Sequence, residues 1–99
     1  MKCNFYHLFF QNLANPLKVK IIESLKNKPS SVLDLSEKLG VEQSKLSHAL
    51  SNLRICKIVE VEQKGKQRIY SLNKKTIIPI LKIIDKHKTT FCKKGCNRR

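Results

Sequence analysis

Near residue 55 the apolar residues of this 99-residue chain change their spacing, and that change limits the folds open to it. Upstream, Leu46, Ala49, Leu50 and Leu53 recur at helical intervals, while Gln43, Ser44, Lys45, Ser47 and His48 lie largely on other faces. Downstream the period becomes two: Ile58 to Gln63 sets Val59 and Val61 against Glu60 and Glu62, and Gln67 to Leu72 sets Ile69 and Ser71 against Arg68 and Tyr70. Two such runs predict a hairpin with Lys64, Gly65 and Lys66 at its tip. Ahead of the helical run, Ser31 followed three residues later by Asp34 resembles a capping box and opens a shorter helix with Val32, Leu35 and Leu39 inward. Gly40 supplies a left-handed exit, and Val41 and Glu42 make a tight connection. Two short helices joined in this way form a helix-turn-helix, here followed directly by a hairpin.

The flanking segments are helical. Phe5, Leu8, Phe9 and Leu13 share a helical face over residues 5 to 13, and Phe10 adds an apolar flank expected to meet another chain. Asn15 can cap a second helix with Pro16 in its first turn and Leu17, Ile21, Ile22 and Leu25 inward, ending near Lys26 to Pro29. A last helix from about Lys74 or Thr76 to His87 or beyond carries Ile77, Ile80, Leu81 and Ile84 on one stripe, widened by Ile78 and Ile83. Pro79 fits only because it falls in the first turn. The predicted class is mainly α with a small β-hairpin, in the order α-α-α-α-β-β-α. One domain over residues 1–92, followed by a basic tail over 93–99 that frays, accounts for the whole chain.

Twenty-one Lys and Arg against seven Asp and Glu give a net charge of +14. That exceeds the magnitude of ~2 to 8 that keeps a small domain soluble. The excess points to an anionic partner, the bland alternative being lysine accumulated through codon bias, since Ile and Asn are frequent too. Nucleic acid is favoured over a membrane, because no run approaches the ~18 apolar residues of a spanning helix. Phe5 to Phe10 is too short an apolar run for a signal peptide and is interrupted by Tyr6 and His7. A cytoplasmic, reducing location is therefore expected, and Cys3, Cys56, Cys92 and Cys96 are thiols, metal ligands or redox sensors rather than a disulfide framework. His7, His48 and His87 are isolated, and no nucleophile, base and orienting group come together, so the chain is not expected to be an enzyme.

The order of elements resembles the ArsR/SmtB family of winged-helix repressors over about residues 8 to 85. Leu13-Ala14-Asn15-Pro16-Leu17-Lys18 is similar to the family's leucine-alanine-(aspartate, asparagine or serine)-proline-x-(arginine or lysine) opening. Val32-Leu33-Asp34-Leu35 resembles its third helix, Gln43-Ser44-Lys45-Leu46-Ser47 with Leu50 its recognition helix, and Gly65-Lys66-Gln67-Arg68-Ile69-Tyr70-Ser71-Leu72 its wing. The resemblance implies a winged helix-turn-helix whose recognition helix enters a major groove ~12 Å wide. Gln43 can pair bidentately with adenine, and Ser44, Lys45, Ser47 and His48 can read bases or fix phosphates; otherwise these residues are merely the solvated face of a core helix. Lys64, Lys66 and Arg68 on the hairpin suit a minor groove or its phosphates, with alternation placing Lys66 and Arg68 on one side. Arg68 has competing partners in Glu60 and Glu62.

Two departures bear on function. The histidine usually found two residues after the serine matching Ser47 is Ala49 here, and the alanine-glycine turn after the recognition helix is Cys56-Lys57, a non-glycine where a positive φ is expected. The family's third-helix cysteine pair aligns with Ser31 and Leu33, so that thiolate site is absent. Asp85-x-His87 resembles the first half of its interfacial zinc site, without the second half. What remains is His87, Cys92 and Cys96, with Cys3 from the same or a partner chain, a set suited to a thiophilic metal or metalloid ion, a persulfide or a reversible disulfide. Unused thiols are the alternative, and Cys56 is expected to be a small buried residue. No cofactor is required.

Together these features predict a sequence-specific double-stranded-DNA-binding regulator, a homodimeric repressor joined through Phe5, Phe9 and Phe10 of the first helix and Ile77, Leu81 and Ile84 of the last, with metal- or thiol-linked release. A nonspecific basic DNA-architectural protein is the competing class.

Overall fold

The computed structural model describes residues 5–91. The expected tail over 93–99 and the thiols of Cys3, Cys92 and Cys96 lie outside the described residues. Helix α1 (Phe5–Ala14) leads into α2 (Pro16–Asn27), whose cap Asn15 accepts the Lys18 amide through Oδ1 at 3.0 Å. Strand β1 (Ser30–Ser31), α3 (Val32–Leu39) and α4 (Gln43–Ile55) follow, then β2 (Val59–Lys64), β3 (Gln67–Leu72) and α5 (Ile77–Phe91). Pro79 is the third residue of α5, where its missing N–H would have had no intrahelical partner.

The helices expected from periodicity are all present, and the sheet has one strand more than the expected hairpin. Its order is β1-β3-β2, with Ser30 opposite Tyr70 and Ser31 opposite Ile69. The observed order is thus α-α-β-α-α-β-β-α. Two serines after Pro29 show no alternation, so periodicity does not report them. They matter nonetheless: Ser31 pairs with the central strand and also caps α3, its Oγ accepting the Asp34 amide at 3.1 Å. One residue therefore ties the middle of β3 to the first helix of the helix-turn-helix.

The core lies between α2, α3, α4 and the inner face of the sheet. Ile21, Leu35, Leu46, Leu50, Leu53, Ile58 and Val59 are fully buried, each contributing ~1.5–3 kcal/mol. Leu8, Phe9 and Leu13 of α1 and Ile78, Ile80 and Leu81 of α5 pack against this centre while staying partly open. Ile77 corrects an expectation: it is only 2% exposed in the single chain and belongs to the core, so it is removed from the expected subunit interface. As the first residue of α5 it anchors that helix to the centre of its own chain. Among the described residues one ion pair forms, Lys26 Nζ to Asp85 Oδ2 at 2.7 Å, linking α2 to α5. Both partners are about half exposed, so the pair contributes at most ~1 kcal/mol.

Candidate nucleic-acid interface

The helix-turn-helix is set by a few local bonds. Gly40 takes up φ 69° and ψ 35°, and its amide and that of Val41 both donate to the Ser36 carbonyl. The Ser36 hydroxyl then donates to the Val41 carbonyl at 2.7 Å, so one serine holds both sides of the turn. Burial of Leu46, Ala49, Leu50 and Leu53 fixes the roll of α4. The same period sends Gln43, Ser44, Lys45, Ser47 and His48 to solvent, and all five are exposed. Among the described residues none of these side chains has a hydrogen bond or ion pair, so each is available to an external partner. Glu42 gives α4 no side-chain cap, leaving its first amides open as well. Ser51 and Arg54 extend this exposed face beyond the residues expected from the sequence, although the spacing that selects Gln43 and Ser47 selects Ser51 next.

The wing is a narrow antiparallel ribbon. Lys64 pairs with Gln67, so Gly65 and Lys66 form a two-residue turn, and Gly65 at φ 63° occupies the position where a type II′ turn needs glycine. Gln63 Nε2 donates to the Gly65 carbonyl at 2.9 Å and braces the tip. Register divides the three cations. Arg68 lies opposite Gln63 on the face that carries buried Tyr70 and Leu72 nearer the core, whereas Lys64 shares the other face with Glu60 and Glu62. Lys66 sits in the turn itself, where strand alternation no longer assigns a face. Arg68 makes no ion pair with Glu60 or Glu62, and its exposed guanidinium is free beyond the edge of the core.

The exit from α4 carries the expected strain: Lys57 has φ 61°, the only non-glycine residue with positive φ among those described. Its amide donates to the Arg54 carbonyl and the Ile58 amide to that of Leu53. Asn73 Nδ2 secures the turn by donating to the Lys57 carbonyl at 2.9 Å. Cys56 is a buried free thiol, as its neighbours in sequence suggest.

The expected interface residues separate by exposure. Phe5, Phe10 and Ile84 are 53%, 60% and 48% exposed, while Phe9 and Leu81 are half-buried. Phe9 meets Phe5 in a tilted contact and Phe10 edge-on, each with ring centroids 5.6 Å apart, and the three rings line an apolar groove of about 510 Å³ with Ile77 and Ile80. Exposed Ile83 and Phe91 add to the apolar surface of α5 and lie outside the expected set. Of the expected sensor residues only His87 falls within the described residues; it is exposed on α5 with its ring centroid 4.9 Å from that of Phe91. Among the described residues no three His, Cys, Asp or Glu side chains are placed to hold a metal ion. No helix there is long and apolar enough to cross a membrane.

Comparison with known proteins agrees with this geometry. The description "bacterial regulatory protein, arsR family" matches residues 15–61, which include the helix-turn-helix and the start of the wing. The HTH-type transcriptional regulator NmtR of Mycobacterium tuberculosis is 42% identical over 62 residues, spanning 63% of this chain and 52% of its own length. The chain therefore covers about half of that relative. Rv0081 of the same organism, described as an uncharacterised HTH-type transcriptional regulator, is 35% identical over 79 residues, which make up 79% of this chain and 69% of that protein. Its crystal structure superposes with a TM-score of 0.79 over 93% of this chain and 96% of that one, at 30% identity. The transcriptional repressor BigR of Xylella fastidiosa gives 0.72 at 27% identity, over 90% and 88% of the two chains.

Proposed function

Since the chain belongs to the ArsR family of bacterial regulatory proteins, we propose that it is a transcriptional repressor that binds operator DNA as a homodimer. The observation that carries this reading is the set of five exposed, unpartnered polar residues on α4, Gln43, Ser44, Lys45, Ser47 and His48, held by a buried leucine face next to a cationic wing. Gln43, Ser44 and Ser47 lie at the start of the helix, the end that reaches base edges in a major groove. Lys45 and His48, with Lys64, Lys66 and Arg68 of the wing, neutralise phosphates and supply affinity that falls with salt. The two protomers meet through Phe5, Phe9 and Phe10 of α1 and Leu81 and Ile84 of α5, which puts two recognition helices about one DNA turn apart. Occupancy of the operator then blocks transcription.

Release is assigned to His87, Cys92 and Cys96, with Cys3, binding a thiophilic metal or metalloid or changing thiol state. A ligand that favours a dimer with wrongly spaced recognition helices lowers DNA affinity by its differential affinity for the two dimer geometries. Titration of metals and of thiol oxidants into the operator complex, wild type beside a Cys92→Ser, Cys96→Ser variant, tests this part. Release from the wild type alone supports it, and equal responses remove these cysteines from the switch. Competition between an operator selected from random sequence and bulk random duplex tests the binding reading. A preference supports a repressor, and equal affinity leaves only a nonspecific DNA-coating protein.

A further inference from the structure

The Leu13–Lys18 opening has no place in the DNA-facing surface, yet its last residue joins a short relay of side-chain hydrogen bonds that spans the fold. Lys18 Nζ donates to Asn12 Oδ1 at 2.8 Å, and Asn12 Nδ2 donates to Cys56 Sγ at 3.2 Å, across 44 residues of chain. Asn12 is 3% exposed and Cys56 4%. The three side chains lie on three elements: Asn12 on α1, Lys18 on α2, and Cys56 at the C-terminal cap of the recognition helix. Next to Cys56 stands Lys57, the strained residue at which the chain turns toward the wing.

A carboxamide this deeply buried on an otherwise apolar stripe, with Phe5, Leu8 and Phe9, costs desolvation unless both of its ends are engaged. Both are. The lysine charge strengthens the bond to Oδ1, and polarisation along the chain strengthens the bond to sulfur. Apolar contact alone lets a helix end slide by small amounts, whereas a hydrogen bond fixes direction as well as distance. On this basis, and resting on the repressor reading, we propose that the Lys18–Asn12–Cys56 relay holds the C-terminal end of α4 against α1, making Asn12 a positioning residue for operator recognition.

The test uses the full chain with a selected operator and a random duplex at one salt concentration. Wild type is measured first, since loss of its operator preference would refute the repressor reading itself and the relay with it. Given that preference, Asn12→Leu and Cys56→Ala each lower operator affinity about tenfold and leave random-duplex affinity within about twofold, because phosphate attraction does not depend on helix pitch. Cys56→Ser restores an acceptor and stays within about twofold of wild type. The Asn12→Leu, Cys56→Ala double variant is no weaker than either single variant, as expected for one shared contact. If Asn12→Leu does not fold, the Cys56→Ala and Cys56→Ser pair decides alone. Unchanged operator-to-random ratios with only a lowered melting temperature would overturn the proposal and leave the relay as packing.

Discussion

At the scale of single residues, the fold is held in place by a few backbone geometries that side-chain chemistry can be seen to tolerate or oppose. Lys57 at φ 61° opposes it. A β-carbon in the left-handed region is unfavourable, so Lys57→Gly is expected to stabilise the chain by up to ~1 kcal/mol in denaturant unfolding, provided the Asn73 bond to its carbonyl is kept. Gly65 at φ 63° is the reverse case: a β-carbon at this position would meet only open space, so Gly65→Ala tests backbone strain alone and is expected to cost about 1 kcal/mol. On the face of α4 proposed to meet DNA, Gln43→Ala should relax preference at one or two base positions and cost ~1–3 kcal/mol of discrimination. Lys66→Ala should instead weaken all duplexes alike and reduce the salt slope by about one, both read by titration at several salt concentrations.

At the scale of elements, what is legible in the sequence follows the strength of its periodic signal. Leu46, Ala49, Leu50 and Leu53 specify both the existence of α4 and the face it turns outward, so the candidate site on that helix can be drawn from the sequence alone. The caps at Asn15, Ser31 and Gly40 are equally legible because each is a local bond between residues a few positions apart. Strand β1 is not, since Ser30 and Ser31 have no pattern of their own and are strand only because β3 lies beside them. The division of the wing into a face with Arg68 and a face with Lys64 depends on register, which the tip alone does not reveal. Ile77 illustrates a further limit: an apolar stripe records that a face is buried, without recording whether its own chain or another covers it. Asn12 does leave a signal, a polar residue in register with Phe5, Leu8 and Phe9, but its partner Cys56 is too distant in sequence for spacing to disclose. The double role of Ser31 gives an element-scale prediction. Ser31→Ala should cost ~1 kcal/mol through loss of the α3 cap, measured as a lower midpoint of chemical unfolding, with β1 pairing retained because it uses backbone atoms.

At the scale of the whole molecule, a chain of net charge +14 leaves Phe5, Phe10, Ile83, Ile84 and Phe91 about half or more exposed on α1 and α5. Self-repulsion keeps such protomers apart unless apolar burial or an anion compensates. In the proposed function the apolar helices meet in the dimer, and the exposed face of α4 with the wing meets DNA. Phe10→Glu is accordingly expected to yield monomers in sedimentation and to weaken operator binding at least tenfold, while leaving the fold intact because Phe10 is 60% exposed. The central claim is that the polar face of α4 reads sequence and the remaining charge supplies affinity. Its most direct test is competition binding of wild type and a Gln43→Ala, Ser44→Ala, Ser47→Ala variant between a selected operator and random duplex at fixed salt. Wild type is expected to prefer the operator by ~10³ or more, and the variant to lose most of this preference while binding random DNA almost unchanged. Equal affinity of wild type for both duplexes, or a variant that keeps the preference, would contradict the claim.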